Sequence, residues 1–452
     1  YIFILLVNLL IGQSFFNKSI GNEIGFQSAR SYGIGQTHFM NSNTSVLALR
    51  NPAQLGFLDK GIKVDFNLSG FMYSERRSLD LQDYFGDFLT EGDYVLNNNF
   101  YNYSQFGVLG NYEILFMDFG FAISHGPWSS IDYRYQEEVR GSASYDDGII
   151  GIRDPIVGYH ILEHDGQIDL TSFALGLGIN KNISFGLGVN YIHKGSYNMN
   201  LRSFQIGNSS DNLAPYIDLN LSSNSEKDRF PSISGVFKKA GFEISLGYEK
   251  NAIIRNSSYS GFSISDSSGL PYYITALLNS EEVDPGNPSS LYDDEGIFEL
   301  AYNSIGFSIE KPEKIKMGLS HQEGSSSHYR LFSLEIIKNN FLDIENYIGS
   351  NASIYRNYYH INIGVEHSKF NKIFRMGLSY KQPSFQVLSP LTTFCFGTSK
   401  EFNNVIFDIG ASYSYQKYQY QDLFPVQGDV RPDFDSVHES NWSLVSTISY
   451  KF

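Results

Sequence analysis

Along most of its length the chain alternates apolar and polar residues with a period of two. In "IKVDFNLSGFMY" (residues 62–73), Ile62, Val64, Phe66 and Leu68 share one face, and Lys63, Asp65, Asn67 and Ser69 share the other. This is the pattern of a β-strand with one apolar face. From Ile183 onward, Ile183, Phe185, Leu187, Val189 and Tyr191 alternate with Ser184, Gly186, Gly188 and Asn190. Runs of this kind, each carrying an internal Gly, begin at Leu115, Ile183, Phe242, Lys314, Ile373 and Val405. Each follows a short connection: "YEI", "NKN", "KKAG", "EKPE", "SKFNK" or "SKEFNN". The pattern predicts hairpins with tight turns. Together with one strand near 62–73 and a last one near 441–452, they predict about fourteen strands. The segment "YRLFSLEII" (329–337) would raise the count to sixteen with a partner; fourteen is preferred, with that segment as loop structure or strand extension.

The other connections are long and rich in Asn, Ser, Asp and Gly. They cover roughly 74–103, 141–166, 195–227, 251–296, 323–356 and 421–440, and only the link near 382–389 is short. Tight turns at one end and long loops at the other, with an even strand number, mark a transmembrane antiparallel β-barrel of the outer membrane. The chain end agrees. In "NWSLVSTISYKF", Trp442, Leu444, Ile448, Tyr450 and Phe452 share one face, interrupted only by Ser446. A tilted strand of about ten residues spans the apolar band of about 25 Å, so Trp442 and Phe452 are expected near opposite interfaces. Tyr450 and Phe452 are the candidate C-terminal signal for the barrel assembly machinery. The fold class is all-β, with the barrel over 61–452.

Composition narrows the function. Aromatic residues make up 15% of the chain, mostly Tyr and Phe, and charged residues only 18%, below the usual quarter. The slightly negative mean hydropathy excludes a bundle of apolar transmembrane helices. A net charge of −15 argues against a nucleic-acid partner, which needs a basic footprint. Cys395 is the one cysteine, so no intrachain disulfide forms, and its strand setting "TTFCFG" makes it a small buried hydrophobe. The opening "YIFILLVNLLIGQSFF" has an apolar run too short for a comfortable span. It fits the core of a secretory signal peptide over residues 1–14, truncated at its start because no Met or basic segment precedes it. Export to the outer membrane of a Gram-negative-type bacterium follows, with outer-membrane lipids as surroundings.

Candidate chemistry is sparse. "HILEH" (160–164) matches the H-x-x-E-H pattern of inverted zinc peptidases, but it lies among loop and strand signals instead of on a helix. "GLGIN" and "GLGVN" lack the following helix of a nucleotide motif and read as small positions in a hairpin. The acidic run 280–296 reads as a solvated external loop, with weak calcium binding as the sharper alternative. No catalytic residue, metal or cofactor is expected. One irregularity remains, in "AISHGPWSSIDYRY". Alternation stops at Gly126-Pro127 and resumes at Ile131, Tyr133 and Tyr135. Proline donates no ladder hydrogen bond. Either the strand ends at His125 and a loop begins, or the barrel wall is interrupted there.

Residues 15–60 lie between signal peptide and first strand, which places them inside the barrel as a plug. The stretch "SARSYGIGQTHFMNSNTSVLALRNPAQLGF" (28–57) resembles the N-terminal hatch of the FadL-like long-chain fatty acid transporter family. That hatch has a Gly- and Ala-rich run followed by an Asn-Pro-Ala turn and an apolar residue. Gly33, Gly35, Asn51, Pro52, Ala53 and Leu55 fit this pattern, while Asn43 and Thr44 stand where the family has an acidic residue. The resemblance implies uptake of a hydrophobic small-molecule ligand without energy coupling. It also implies lateral exit through a gap beside a kinked third strand, where Gly126 and Pro127 fall. Related barrels include the shuttle component of type IX secretion. The alternative reading is therefore a secretion or surface-attachment component whose external loops bind protein partners.

Overall fold

The computed structural model describes residues 22–140, 156–193, 195–204, 215–225, 227–263, 308–325, 328–342, 356–370, 372–384, 388–420 and 435–452. The expected signal peptide and the acidic run 280–296 lie outside these residues.

Strands β1 (Gly61–Gln82), β2 (Phe88–Ile114), β3 (Met117–Ser130, resuming as Tyr133–Arg140) and β4 (Ile156–Gly178) come first. Strand β5 has the segments Ile183–Ile192 and Ser196–Phe204, and β6 has Pro215–Ser225 and Asp228–Lys239. In the same way β7 joins Phe242–Glu249 to Ala252–Ser263, and β8 joins Ser308–Lys311 to Glu313–Ser325. The remaining strands are β9 (His328–Asn340), β10 (Tyr358–Lys369), β11 (Lys372–Lys381), β12 (Leu391–Phe402), β13 (Val405–Tyr420) and β14 (Asp435–Lys451). Each pairs antiparallel with its neighbours, and β14 returns to β1 from Lys63↔Lys451 to Ser78↔Ser436. The result is a closed 14-stranded antiparallel barrel.

The barrel is inverted relative to a water-soluble protein. Phe66 is 44% exposed while its neighbour Asp65 is 4% exposed, and the same alternation runs round the wall. Large apolar side chains face outward in a belt and Ser, Asn, Gly and charged groups face in. Only hydrocarbon makes that arrangement favourable, and a closed ladder is what leaves no backbone group unpaired in it. The first two strands outrun the membrane. At about 3.3 Å per residue, β1 and β2 exceed the band of about 25 Å and project from the loop end.

Three expectations need correction. "EKPE" is not a turn: Pro312 interrupts β8 without reversing it, so Ala252 pairs with Lys311 and Glu249 with Lys314 along one strand. Proline removes one ladder donor but leaves the strand direction intact. The segment 329–337 is not loop but the middle of β9, laddered to β8 and β10. The count of fourteen holds because a strand expected before Glu310 belongs to β8 and the omitted β9 replaces it. Third, the long connections begin later than expected, with β1 running to Gln82 and β2 restarting at Phe88. Above the membrane the outward positions become polar (Ser74, Arg76, Asp80), so alternation no longer reveals the strand.

Candidate functional site

The N-terminal segment fills the turn-end half of the lumen. It contains α1 (Ala29–Gly33), α2 (His38–Asn41), α3 (Leu47–Arg50) and a 3-10 turn over Pro52–Phe57. It fits closely because much of the wall facing it carries glycine. A Cβ on Gly186 would lie 2.1 Å from Ala53 N, and one on Gly377 would lie 2.5 Å from Gly35 N. Inward glycines of β2, β3, β4, β7, β8, β10, β12 and β13 touch the segment in the same way.

The other strands hold its backbone by hydrogen bonds. Ser45 N–H donates to Asp65 of β1 (2.7 Å), Ala53 N–H to Ser234 of β6 (2.8 Å), and Ala29 N–H to Thr447 of β14 (2.9 Å). From β9, the Glu335 carboxylate accepts from Phe39 and Met40 N–H at the start of α2 (2.8 and 3.2 Å). Buried amides that have no strand partner are thereby satisfied. Arg30 reaches Glu366 (2.8 Å), which also binds Arg375 (2.6 Å). Burial disfavours the Arg30 cation, but Glu366 outweighs it and holds the guanidinium firmly charged.

The Asn51-Pro52-Ala53 turn sits in the middle of this contact. Asn51 Nδ2 donates to Phe39 O (2.9 Å), and Ser184 Oγ donates to Ala53 O (2.7 Å). Pro52 opens the 3-10 turn, where its missing N–H costs nothing.

Above the segment lies a cavity of about 270 Å³. One part is aromatic: Ile24 packs with Tyr101 and Tyr103, against Phe71 and Tyr73. The other is cationic, lined by Lys311, Lys314, Lys316, Lys381 and Arg50. Lys311, Lys314 and Lys316 are 2%, 4% and 3% exposed, so their charges are removed from bulk water. Glu249 bonds Lys314 (3.0 Å) and Lys316 (2.7 Å), and Glu23 meets Lys314 and Arg50. Five basic side chains thus face two carboxylates. Burial alone would raise the Glu23 carboxyl, but Lys314, Arg50 and Lys311 reverse this and hold it well below the usual range.

Beside the cavity the wall changes character. The β2–β3 ladder runs from Ile114↔Met117 to Phe106↔His125 and, among the described residues, goes no further. Gly126 and Pro127 follow at once, both buried, and β3 then keeps its pairing with β4 through a register shift. Trp128 turns into the lumen, stacked on Phe230 at 5.3 Å. The edge that β2 leaves free is taken by the N-terminus, with Asn22↔Ser130 and Glu23↔Ser129 paired and Ile24 N–H donating to Trp128 O (3.2 Å). Higher up, side chains replace the ladder: Asn99 Nδ2 donates to Arg134 O (3.2 Å) and Asn97 Oδ1 accepts from Gln136 N–H (3.3 Å).

Among the other sequence candidates, "HILEH" lies within β4. His160 and His164 point inward and Glu163 outward to Arg134 (3.2 Å), so the three share no face. Tyr450 and Phe452 face outward near the turn end, edge to face at 4.8 Å. Cys395 is buried. The lumen lysines were not anticipated. Their signal was present in "EKIKMGLS", where Lys314 and Lys316 alternate with the outward Ile315 and Met317.

No family profile and no curated protein matches the chain. Solved structures do. A FadL homologue from Pseudomonas aeruginosa superposes with a TM-score of 0.58 at 13% identity, over 96% of this chain and 100% of that one. The Pseudomonas putida toluene transporter TodX gives 0.53 at 11%, over 94% and 98%. The monoaromatic hydrocarbon channel CymD gives 0.50 at 11%, over 97% and 99%. At these identities the likeness is one of fold.

Proposed function

We propose that this outer-membrane barrel, built on the FadL-like fold, takes up hydrophobic carboxylic acids without energy coupling and releases them sideways through the β2–β3 seam. Long-chain fatty acids are the representative substrate. The neighbours that share its fold include a toluene transporter and a monoaromatic hydrocarbon channel, which supports uptake of hydrophobic compounds in general. The cavity supports the narrower choice. Its aromatic part suits a hydrocarbon chain, and its excess of basic side chains suits a carboxylic acid, which can share its proton with them.

Magnitudes favour a lateral exit. The inner segment, acting as a hatch, closes the turn-end half of the lumen. Leaving past it into the periplasm would expose the chain to water at about 0.8 kcal/mol per CH₂, or about 10 kcal/mol for a dozen methylenes. Passage from cavity to bilayer exposes almost none. Opening the seam costs the few hydrogen bonds made by residues 22–24 and those of Asn97 and Asn99, each about 0.5–1.5 kcal/mol net. In this reading Gly126 and Pro127 mark the opening, the Asn51-Pro52-Ala53 turn anchors the hatch, and Tyr450 and Phe452 serve barrel assembly.

The test is uptake into vesicles carrying the purified chain, with a fatty acid and toluene compared. Lys311→Met combined with Lys381→Met should slow uptake of the acid by about tenfold, the worth of one lost charged hydrogen bond, and leave toluene unchanged. Equal loss for both, or loss for neither, rejects the acid-binding role. Gly126→Val with Pro127→Thr should slow both substrates by extending the β2–β3 ladder. An assembled double variant with unchanged rates would exclude the lateral route and favour the partner-binding alternative.

A further inference from the structure

The turn-end part of the outer wall carries a notch that the transport reading does not use. From β3 to β7 the ladder sets Phe119, Leu177, Phe185, Gly235 and Leu246 side by side in one outward row. On β6 itself, Ile233 and Phe237 flank Gly235 on the same outward side. Gly235 is therefore a gap among large apolar side chains. A Cβ there would meet only the Phe185 ring, at 3.5 Å, whereas the outward Gly110 is roofed by Phe121 at 2.7 Å. The groove around Gly235 has a volume of about 820 Å³ and is lined almost entirely by apolar side chains and glycine. Small-molecule ligands occupy spaces of about 300–1,000 Å³.

The groove has a basic end. Lys239 follows Phe237 on the outward side of β6, and Lys181 lies in the β4–β5 turn, where Asn182 O accepts Lys238 N–H (2.7 Å). Both lysines are exposed. Other lysines of this margin are engaged: Lys60 and Lys451 pair with Asp118 and Asp59, and Lys369 and Lys400 lie over the rings of Phe370 and Phe402. Lys238 bonds Glu243, but Lys181 and Lys239 have no carboxylate or ring partner among the described residues. We propose that this groove retains one anionic phospholipid of the periplasmic leaflet, with an acyl chain along the Gly235 notch and the phosphate between Lys181 and Lys239. Four residues of strand, about 13 Å, separate notch from lysine, so a headgroup at the interface leaves its chain level with the notch. Hydrocarbon has no hydrophobic drive against hydrocarbon, so the chain is selected by van der Waals fit and the headgroup by charge. A zwitterionic lipid would set its own amine beside the same lysines and is disfavoured. On the inward side of this wall Ser184 and Ser234 hold Ala53, so the lipid backs the wall where the Asn51-Pro52-Ala53 turn docks. The site lies at the turn end, away from the last β2–β3 rung at Phe106↔His125, and stands whether or not a ligand leaves through the seam.

Native mass spectrometry of the full chain, purified in detergent and mixed with phosphatidylglycerol or phosphatidylethanolamine of the same acyl chains, tests this. One phosphatidylglycerol per barrel should be retained, in preference to phosphatidylethanolamine by about tenfold. Lys181→Gln combined with Lys239→Gln should abolish that preference. Lys369→Gln combined with Lys400→Gln, at the same margin, should leave it unchanged. Gly235→Leu fills the notch and should lower retention of both lipids to about half or less. No preference in the unaltered chain, full preference in the folded Lys181/Lys239 variant, or undiminished retention in folded Gly235→Leu would overturn the site. Equal loss of preference in both lysine double variants would also overturn it, by showing a general basic margin in place of a site.

Discussion

The seams β9–β10 and β2–β3 are made of the same alternating strands, yet one ladder is continuous and the other stops short. From His328↔Lys369 to Asn339↔Tyr358 the β9–β10 ladder is unbroken. The β2–β3 ladder stops at Phe106↔His125, where Gly126-Pro127 sends β3 into the lumen. Several of the β3 groups released there have substitutes: the N-terminal strand at Ser129 and Ser130, and asparagine side chains at Arg134 and Gln136. The comparison teaches that a wall ladder can stop within a barrel when other polar groups stand in for the missing partner strand.

The largest way to break the comparison is to remove the inner segment. Deleting residues 22–56 takes away the stand-in and the plug together, while the β9–β10 type of seam stays closed by its own ladder. The barrel should still assemble, and its conductance in planar bilayers should rise several-fold. Unchanged conductance would mean that the segment does not block the lumen.

Filling a glycine notch should be the next largest effect. Gly377→Val places a side chain where the Gly35 backbone lies within 2.6 Å, an overpacking expected to cost about 1–3 kcal/mol. Chemical denaturation of the reconstituted barrel measures it. The control is Gly235→Val, on the outward side where a Cβ meets only Phe185 at 3.5 Å, and it should be close to neutral.

The attachment of residues 22–24 should respond to acid. Glu23 titrates well below the usual carboxylate range because Lys314, Arg50 and Lys311 outweigh its burial. Its contribution is therefore fully present above the unfolded value of about 4.3 and is lost only as pH falls through the lower folded value. Hydrogen exchange at Ile24 N–H should stay slow at pH 5 and become fast only in stronger acid. Glu23→Gln should remove that acid step and speed exchange at neutral pH, while amides of β9 are unaffected.

The smallest effect is expected at the β2–β3 turn. Leu115 and Phe116 both have positive φ (52° and 67°), a conformation that suits Asn-Gly far better. Replacing the pair with Asn-Gly should stabilise the hairpin by about 1 kcal/mol without moving the end of the ladder. Thermal unfolding of the two proteins measures the difference.

The period-two pattern, read together with tight turns alternating with long connections and an aromatic last strand, pointed to an all-β membrane barrel, because hydrocarbon outside and polar lumen inside impose one alternation on every wall strand. Gly126-Pro127 was legible as an irregularity because proline lacks a ladder donor. The strand total was reached only through compensating misreadings at Pro312 and β9, since local sequence does not say whether a proline bends a strand or ends it. Tertiary structure alone decided what faces the inner segment. The glycines of "FGLG" and "MGLS" look like ordinary small strand positions until the closed wall brings them against backbone from residues far away in the chain. The cationic cavity has the same origin. The stretch with Lys311, Lys314 and Lys316 is separated in sequence from Lys381, Arg50 and Glu23, and these groups meet only when strand register and barrel closure bring them into one lumen.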